Sequence, residues 1–164
     1  MSKKQNYATE ALRLHKKNKG KFATSSKIEI KSMEDLSISY TPGVGAVSKY
    51  LAENKSETNL YTMKSNTIAV VSDGSAVLGL GNIGPEGALP VMEGKSIIFK
   101  KFADIDAVPI VLNTQDTEEI IKTVKAISVG FGGINLEDIS APRSFEVEER
   151  LKKELDIPVM HDDQ

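Results

Sequence analysis

Apolar and polar positions follow two different rhythms along this chain, and the rhythm changes after residue 62. Upstream, Ala8, Leu12 and Leu14 make a weak helical stripe over 6–18, with Gly20 where a C-terminal cap belongs. Ile28 and Ile30 alternate with polar neighbours across 27–31, which predicts a short edge strand. Ser32 and Asp35 form a capping-box pattern for a helical turn. Thr41-Pro42 reads as the N-cap and first residue of a helix through Val44, Val47 and Leu51, leaving Tyr40 just outside its N-terminus.

Downstream, short apolar runs at 67–72, 108–112, 134–136 and 157–160 predict strands. Helices are expected between them: 90–102 with Pro90 near its first position, one opened by Asp116 and Glu119 carrying Ile120, Val124 and Ile127, and a charged amphipathic helix over 144–155. Strands alternating with helices imply crossover connections and a largely parallel sheet, so the fold class is α/β. Residues 1–62 form a helical segment attached to the α/β unit of 63–164.

Composition narrows the function. The 164 residues are 40% hydrophobic and 27% charged, an ordinary globular balance with room for a real core. A net charge of −2 gives no reason to expect nucleic acid or an anionic membrane as a partner. The stretch from Lys3 to Lys21 is basic, with Glu10 as its one acid, and is read as a solvated helix face. There is no cysteine, which excludes disulfides and thiolate chemistry, and the two histidines, His15 and His161, exclude a multi-histidine metal site. No signal-peptide pattern or membrane-spanning run is present, so a cytoplasmic location is expected.

The candidate chemistry lies where the strands end: Asp73, Asn113, Glu137-Asp138 and His161-Asp162-Asp163. Ligands of open α/β sheets bind outside the carboxyl ends of the strands, although Asp and Asn also serve simply as turn and cap residues. Carboxylates converging on one rim repel unless a cation neutralises them, and an all-oxygen set suits Mg²⁺ or Mn²⁺. Glu137 and Asp138 can share an ion only if their strand has already ended, since adjacent strand residues face opposite ways. Lys95 falls on the helical face of Val91, Met92, Phe99 and Phe102. Either it snorkels to water, or desolvation lowers its pKa toward that of a general base. The 79–84 stretch, Gly79-Leu80-Gly81-Asn82-Ile83-Gly84, matches a dinucleotide fingerprint by letter but lacks the acid after the next strand. It is read as a tight turn over a ligand site.

The same residues carry a family likeness. Tyr40-Thr41-Pro42-Gly43, Asp73-Gly74, the 79–84 stretch, Gly94-Lys95, Phe102-Ala103-Asp104-Ile105-Asp106, Asn135-Leu136-Glu137-Asp138-Ile139 and His161-Asp162-Asp163-Gln164 occur in order from about residue 35 onward. In that order they resemble the N-terminal domain of malic enzymes, most closely the smaller bacterial branch. The resemblance implies oxidative decarboxylation of L-malate to pyruvate and CO₂ with NAD or NADP and Mg²⁺ or Mn²⁺. Oxaloacetate and pyruvate would be further ligands.

It also implies roles. Lys95 would be the base at the C2 hydroxyl, Tyr40 the acid that protonates the enolate, and Asp162 the partner that tunes Lys95. Glu137, Asp138 and Asp163 would hold the metal. Ala76 stands where larger malic enzymes carry an arginine that grips a malate carboxylate. The family's Rossmann-type cofactor domain is expected to be absent, so no cofactor-binding residue is assigned and the isolated chain is expected to be inactive in hydride transfer. A homodimer built through residues 6–62 is implied, with Tyr40 and Lys95 supplied by the partner of the chain that holds the metal. A stand-alone nucleotide-binding module and a dimerisation or regulatory domain remain alternatives at this point.

Overall fold

A computed structural model describes residues 3–162. Its centre is β1 (Thr67–Ser72), flanked by β2 (Asp106–Val111) on one side and by β3 (Gly133–Leu136) and β4 (Val159–His161) on the other. The order is β2-β1-β3-β4 and every pairing is parallel. A parallel sheet needs a covering layer on each face, and β1, buried nearly throughout, reads as an unbroken apolar run for that reason.

Side chains alternate across the strand, and the two faces meet different helices. Ile68 and Val70 pack toward α5 (Gly84–Ala103) with Met92 and Phe99. Ala69 and Val71 pack toward α6 (Thr117–Ile127) and α7 (Arg143–Glu154), with Ile120, Val124, Val147 and Leu151. Both covering helices carry the predicted spacing: Ile120, Ile121 and Val124 on α6, and Ser144, Val147, Glu148 and Leu151 on α7. The Asp116 side chain caps α6, accepting from the Glu119 amide at 2.9 Å.

The chain runs from β1 through α5 to β2, then returns through α6 to β3 on the far side of β1. The order therefore reverses between β1 and β3, and a crevice opens beyond the carboxyl ends of those strands.

Three local expectations are corrected. The α5 helix begins at Gly84, with Pro85 in its first turn and Pro90 inside it. Two prolines satisfy the first-turn pattern, and the earlier one fills it. Residues 27–31 form no strand. Their polar groups are taken locally: Ile28 donates to Ser26 Oγ, Ser26 Oγ donates back to the Ile28 carbonyl, and Lys31 N–H donates to Asp35. Thr41 is not a cap. Tyr40 ends α2 (Met33–Ser39), a turn follows, and α3 (Val44–Glu53) opens after Gly43. The Ser32–Asp35 capping box of α2 is present as expected.

The remaining helices are α1 (Lys3–Asn18) and α4 (Thr58–Tyr61). Just beyond α1, Lys21 joins α5, its amide donating to Glu93 Oε2 at 2.9 Å and its ammonium to the Pro90 carbonyl at 2.9 Å. Neither α2 nor α3 buries a residue, and Leu12, Met33, Ile38, Val47 and Leu60 are all exposed. No helix among the described residues is long and apolar enough to cross a membrane.

Candidate functional site

At the mouth of the crevice, β1 ends and Asp73-Gly74 turns the chain. Gly74 has φ +70°, and a β-carbon there would lie 2.1 Å from the Gly84 carbonyl oxygen, so the position admits only glycine. That close approach folds the glycine-rich stretch back on itself. Ile83 and Gly84 amides both donate to the Gly74 carbonyl, Val77 N–H to the Gly81 carbonyl, and Leu80 N–H to Val77. The amides of Leu80, Ile83 and Gly84 are thus occupied internally, which fits a tight turn and leaves them unavailable to cradle a pyrophosphate. Asn82 and Gln115 clasp the turn to the β2–α6 loop through two amide hydrogen bonds of 3.0 Å.

Lys95 reaches the same rim from α5. Its Nζ lies 3.0 Å from Glu137 Oε1 at the end of β3 and 2.6 Å from Asp162 Oδ2 at the end of β4. Glu137 Oε1 also accepts from Asn135 Nδ2 at 2.7 Å. Three strand-end and helix positions far apart in sequence thus converge, and Lys95 and Asp162 make the contact that the resemblance implies.

Of the two readings of Lys95, the lowered pKa does not hold. Burial does push it down, but hydrogen bonds to Asp162 and Glu137 outweigh burial and hold it above the usual lysine value. As it stands, Lys95 is an ammonium. Glu137 moves upward as well, because burial outweighs the pull of Lys95 and Asn135.

Lys95 meets Glu137 within one chain. Tyr40 is placed differently. It is 66% exposed, and its hydroxyl has no hydrogen-bond partner among the described residues.

Glu137 and Asp138 sit on one turn. The strand ends at Leu136, and Asp138 takes φ +54°, a left-handed conformation that aspartate tolerates better than most side chains. Both residues are buried, and Ala76 N–H donates to the Asp138 carbonyl at 3.0 Å. Their carboxylates are hard oxygen donors of the kind Mg²⁺ and Mn²⁺ select. Asp163 lies outside the described residues, and among those described no group of three or more His, Asp or Glu is gathered closely enough to hold an ion.

Sequence reasoning missed one neighbour of this turn. Arg143, one residue before the helix expected over 144–155, donates Nη2 to Asp73 Oδ2 at 2.6 Å and to Ser75 Oγ at 2.9 Å. The only available hint was Asp73 itself, an acid directly after an apolar strand.

Comparison with known proteins agrees with this geometry. The family model for the malic enzyme N-terminal domain matches residues 15–152. A bifunctional malic/malolactic enzyme of Bacillus subtilis is 59% identical over 155 residues, covering 94% of this chain and 38% of the relative. The NAD-dependent malic enzyme of Geobacillus stearothermophilus is 64% identical over 145 residues, covering 88% of this chain and 30% of the relative. Other relatives are named for NADP. The crystal structure of the NAD-dependent malic enzyme from Thermotoga maritima superposes with a TM-score of 0.91 at 57% identity, covering 94% of this chain and 43% of that one. The chain thus spans less than half the length of these relatives, and its α/β fold is that of their N-terminal portion. It belongs to the malic enzyme family, as an N-terminal domain.

Proposed function

We propose that this chain is the malate- and metal-binding half of an enzyme that oxidatively decarboxylates L-malate to pyruvate and CO₂ with NAD or NADP. The observation carrying this reading is the convergence of Lys95, Glu137 and Asp162 at the switch-point rim. Mg²⁺ or Mn²⁺ would be held by Glu137, Asp138 and Asp163. When bound, the ion supplies Lewis-acid polarisation of the substrate's C2 oxygen.

Lys95 takes the C2 hydroxyl proton in this reading, and it can do so only after giving up its own. Its two carboxylate partners hold its pKa above the usual lysine value, so it gives up that proton to solvent more readily when one of them is drawn elsewhere. Glu137 is both a Lys95 partner and a candidate ion ligand, which makes it the one most easily drawn away. Asp162 then orients Lys95 Nζ. Tyr40 protonates the enolate carbon. Its exposure, and the uncovered apolar face of α2 and α3 around it, fit a homodimer in which Tyr40 serves the partner's site. Such a shared site and a cytoplasmic location form part of the same proposal. The nicotinamide cofactor is taken to bind mainly to the part of the relatives that this chain does not span.

Calorimetric titration tests the reading. Malate and oxalate are expected to bind only with Mn²⁺ present. Metal-independent binding of a dinucleotide would support a nucleotide-binding module instead, and binding of no ligand would support a purely structural domain. With either NAD⁺ or NADP⁺ at saturating malate, the isolated chain is expected to form no reduced cofactor.

A further inference from the structure

The turn bearing Glu137 and Asp138 is not held by its own strand alone. Two connections reach it from the β1–α5 loop. Ala76 N–H donates to the Asp138 carbonyl at 3.0 Å, and Ser140 N–H donates to Ser75 Oγ at 2.8 Å. Ser75 in turn is fastened to Asp73, whose Oδ1 accepts from both the Ser75 amide at 2.9 Å and the Ser75 hydroxyl at 2.6 Å. Arg143 closes the assembly from α7, donating to Asp73 Oδ2 and to Ser75 Oγ. Asp73 is 1% exposed and Ser75 8% exposed, so these bonds form away from bulk water, where charge-assisted contacts are strong.

We propose that Asp73, Ser75 and Arg143 form a positioning clasp that sets the geometry of the 137–140 turn, with Arg143 as its keystone. Arg143 is a positioning residue, acting through Ser75 and Asp73. This role rests on the metal-binding reading above for its functional consequence, though not for its structural content.

The chemistry explains each member. Asp138 holds a left-handed φ, and such conformations persist where surrounding contacts over-determine them. The clasp and its neighbour Ala76 supply two such contacts, Ser75 at the Ser140 amide and Ala76 at the Asp138 carbonyl. Ser75 is suited to the centre because a hydroxyl both donates and accepts: it donates to Asp73 while accepting from Arg143 and Ser140. A guanidinium is suited to the α7 position because one nitrogen can serve Asp73 and Ser75 together while the charge neutralises a buried carboxylate. Lysine would restore the charge, but it is a mobile point donor without the planar fork.

Two measurements on the whole 164-residue chain test this, with Arg143→Met, Arg143→Lys and a control, Val147→Ala, which weakens the α7 core without touching the clasp. The first is Mn²⁺ affinity by calorimetry at a temperature where circular dichroism shows every variant folded. Arg143→Met is expected to lower affinity at least tenfold and Arg143→Lys to recover part of it. Val147→Ala is expected to stay within twofold of wild type. The second is hydrogen exchange at the Ala76 and Ser140 amides, expected to quicken at least tenfold in Arg143→Met relative to Val147→Ala. Wild-type Mn²⁺ affinity or unchanged exchange in Arg143→Met would overturn the clasp and leave Arg143 as a simple stabiliser of α7. If the wild-type chain binds no Mn²⁺, the metal reading fails, and the exchange rates decide the clasp by themselves. Should Arg143→Met not fold, Ser75→Ala replaces it with the same two expectations.

Discussion

Lys95 and Glu137 face each other across the crevice with 3.0 Å between Nζ and Oε1, and each alters the other's ionisation. Lys95 is held above its ordinary value of 10.5. Its pairing therefore contributes fully below pH 10.5 and is lost as pH rises through the higher folded value. Glu137 behaves oppositely. Its folded pKa is raised above 4.5 by burial, so ionisation costs stability as pH climbs from the unfolded value through the folded one.

These signs predict the behaviour of Lys95→Met. Without the ammonium, Glu137 loses the group that most lowers its pKa and keeps the Asn135 hydrogen bond in its buried site. The variant should be destabilised by about 1–3 kcal/mol where Glu137 is ionised. The loss should shrink toward the pH at which Glu137 is protonated in both proteins. Urea denaturation in chelator-treated buffer at acid and neutral pH measures it. An equal loss at both would mean that Lys95 stabilises through its aliphatic stem alone.

Catalysis gives Lys95 a separate test. In the intact enzyme, Lys95→Ala should lower malate oxidation by about two to four orders of magnitude, the usual cost of removing a general base. Mn²⁺ affinity should not fall, because the lost group is a cation and not a candidate ligand. A fall in turnover of less than about tenfold would remove Lys95 from the role of base.

The glycines of the rim separate two kinds of constraint. Gly74, Gly79 and Gly81 all have positive φ, but only at Gly74 would a β-carbon collide with backbone, 2.1 Å from Gly84 O. Gly79→Ala and Gly81→Ala should each cost about 1–2 kcal/mol, the price of a left-handed L-residue. Gly74→Ala should cost on the order of 3 kcal/mol or more, because the glycine-rich turn must also shift. Thermal melts of the three variants give the ranking, and comparable losses at all three would contradict the close approach at Gly74.

Legibility in the sequence followed the range of the interaction involved. The β1 strand, α6 and α7 were readable because their apolar spacing and caps are local, as with Asp116 and Glu119. The start of α5 was misplaced because Pro85 and Pro90 carry the same local signal. Ile28 and Ile30 alternate like a strand, yet serine and aspartate side chains claim the backbone there. At the site, Lys95 and the strand-end acids could be singled out by residue type. The direction of the Lys95 shift could not, since it depends on carboxylates brought in by β3 and β4. Arg143 was invisible for the same reason: its partners, Asp73 and Ser75, are brought in by the neighbouring strand β1.

Assembly can be tested without activity. The apolar face of α2 and α3 carries Ile38, 67% exposed, next to Tyr40. If a second copy covers this face, Ile38→Asp should convert a dimer to a monomer, because an unpaired charge buried at an apolar interface is strongly unfavourable. The sheet should survive, since α2 contributes no buried residue to it. Sedimentation and circular dichroism together check both halves. A monomeric wild type at tens of micromolar would rule out the dimer.

The shared site makes a sharper demand on the intact enzyme. Tyr40→Phe and Lys95→Ala should each be inactive as homodimers. Suppose Tyr40 of one copy serves Lys95 of the other, a reading its exposure supports. A mixed dimer then contains one site missing both groups and one site with both intact. Random re-association of equal amounts makes half of the dimers mixed, so the mixture should recover about a quarter of wild-type turnover from two inactive parents. If Tyr40 and Lys95 act within a single chain, every site in the mixed dimer carries one lesion, and mixing recovers nothing. Unfolding and refolding the variants together, and assaying against each refolded alone, distinguishes the two arrangements.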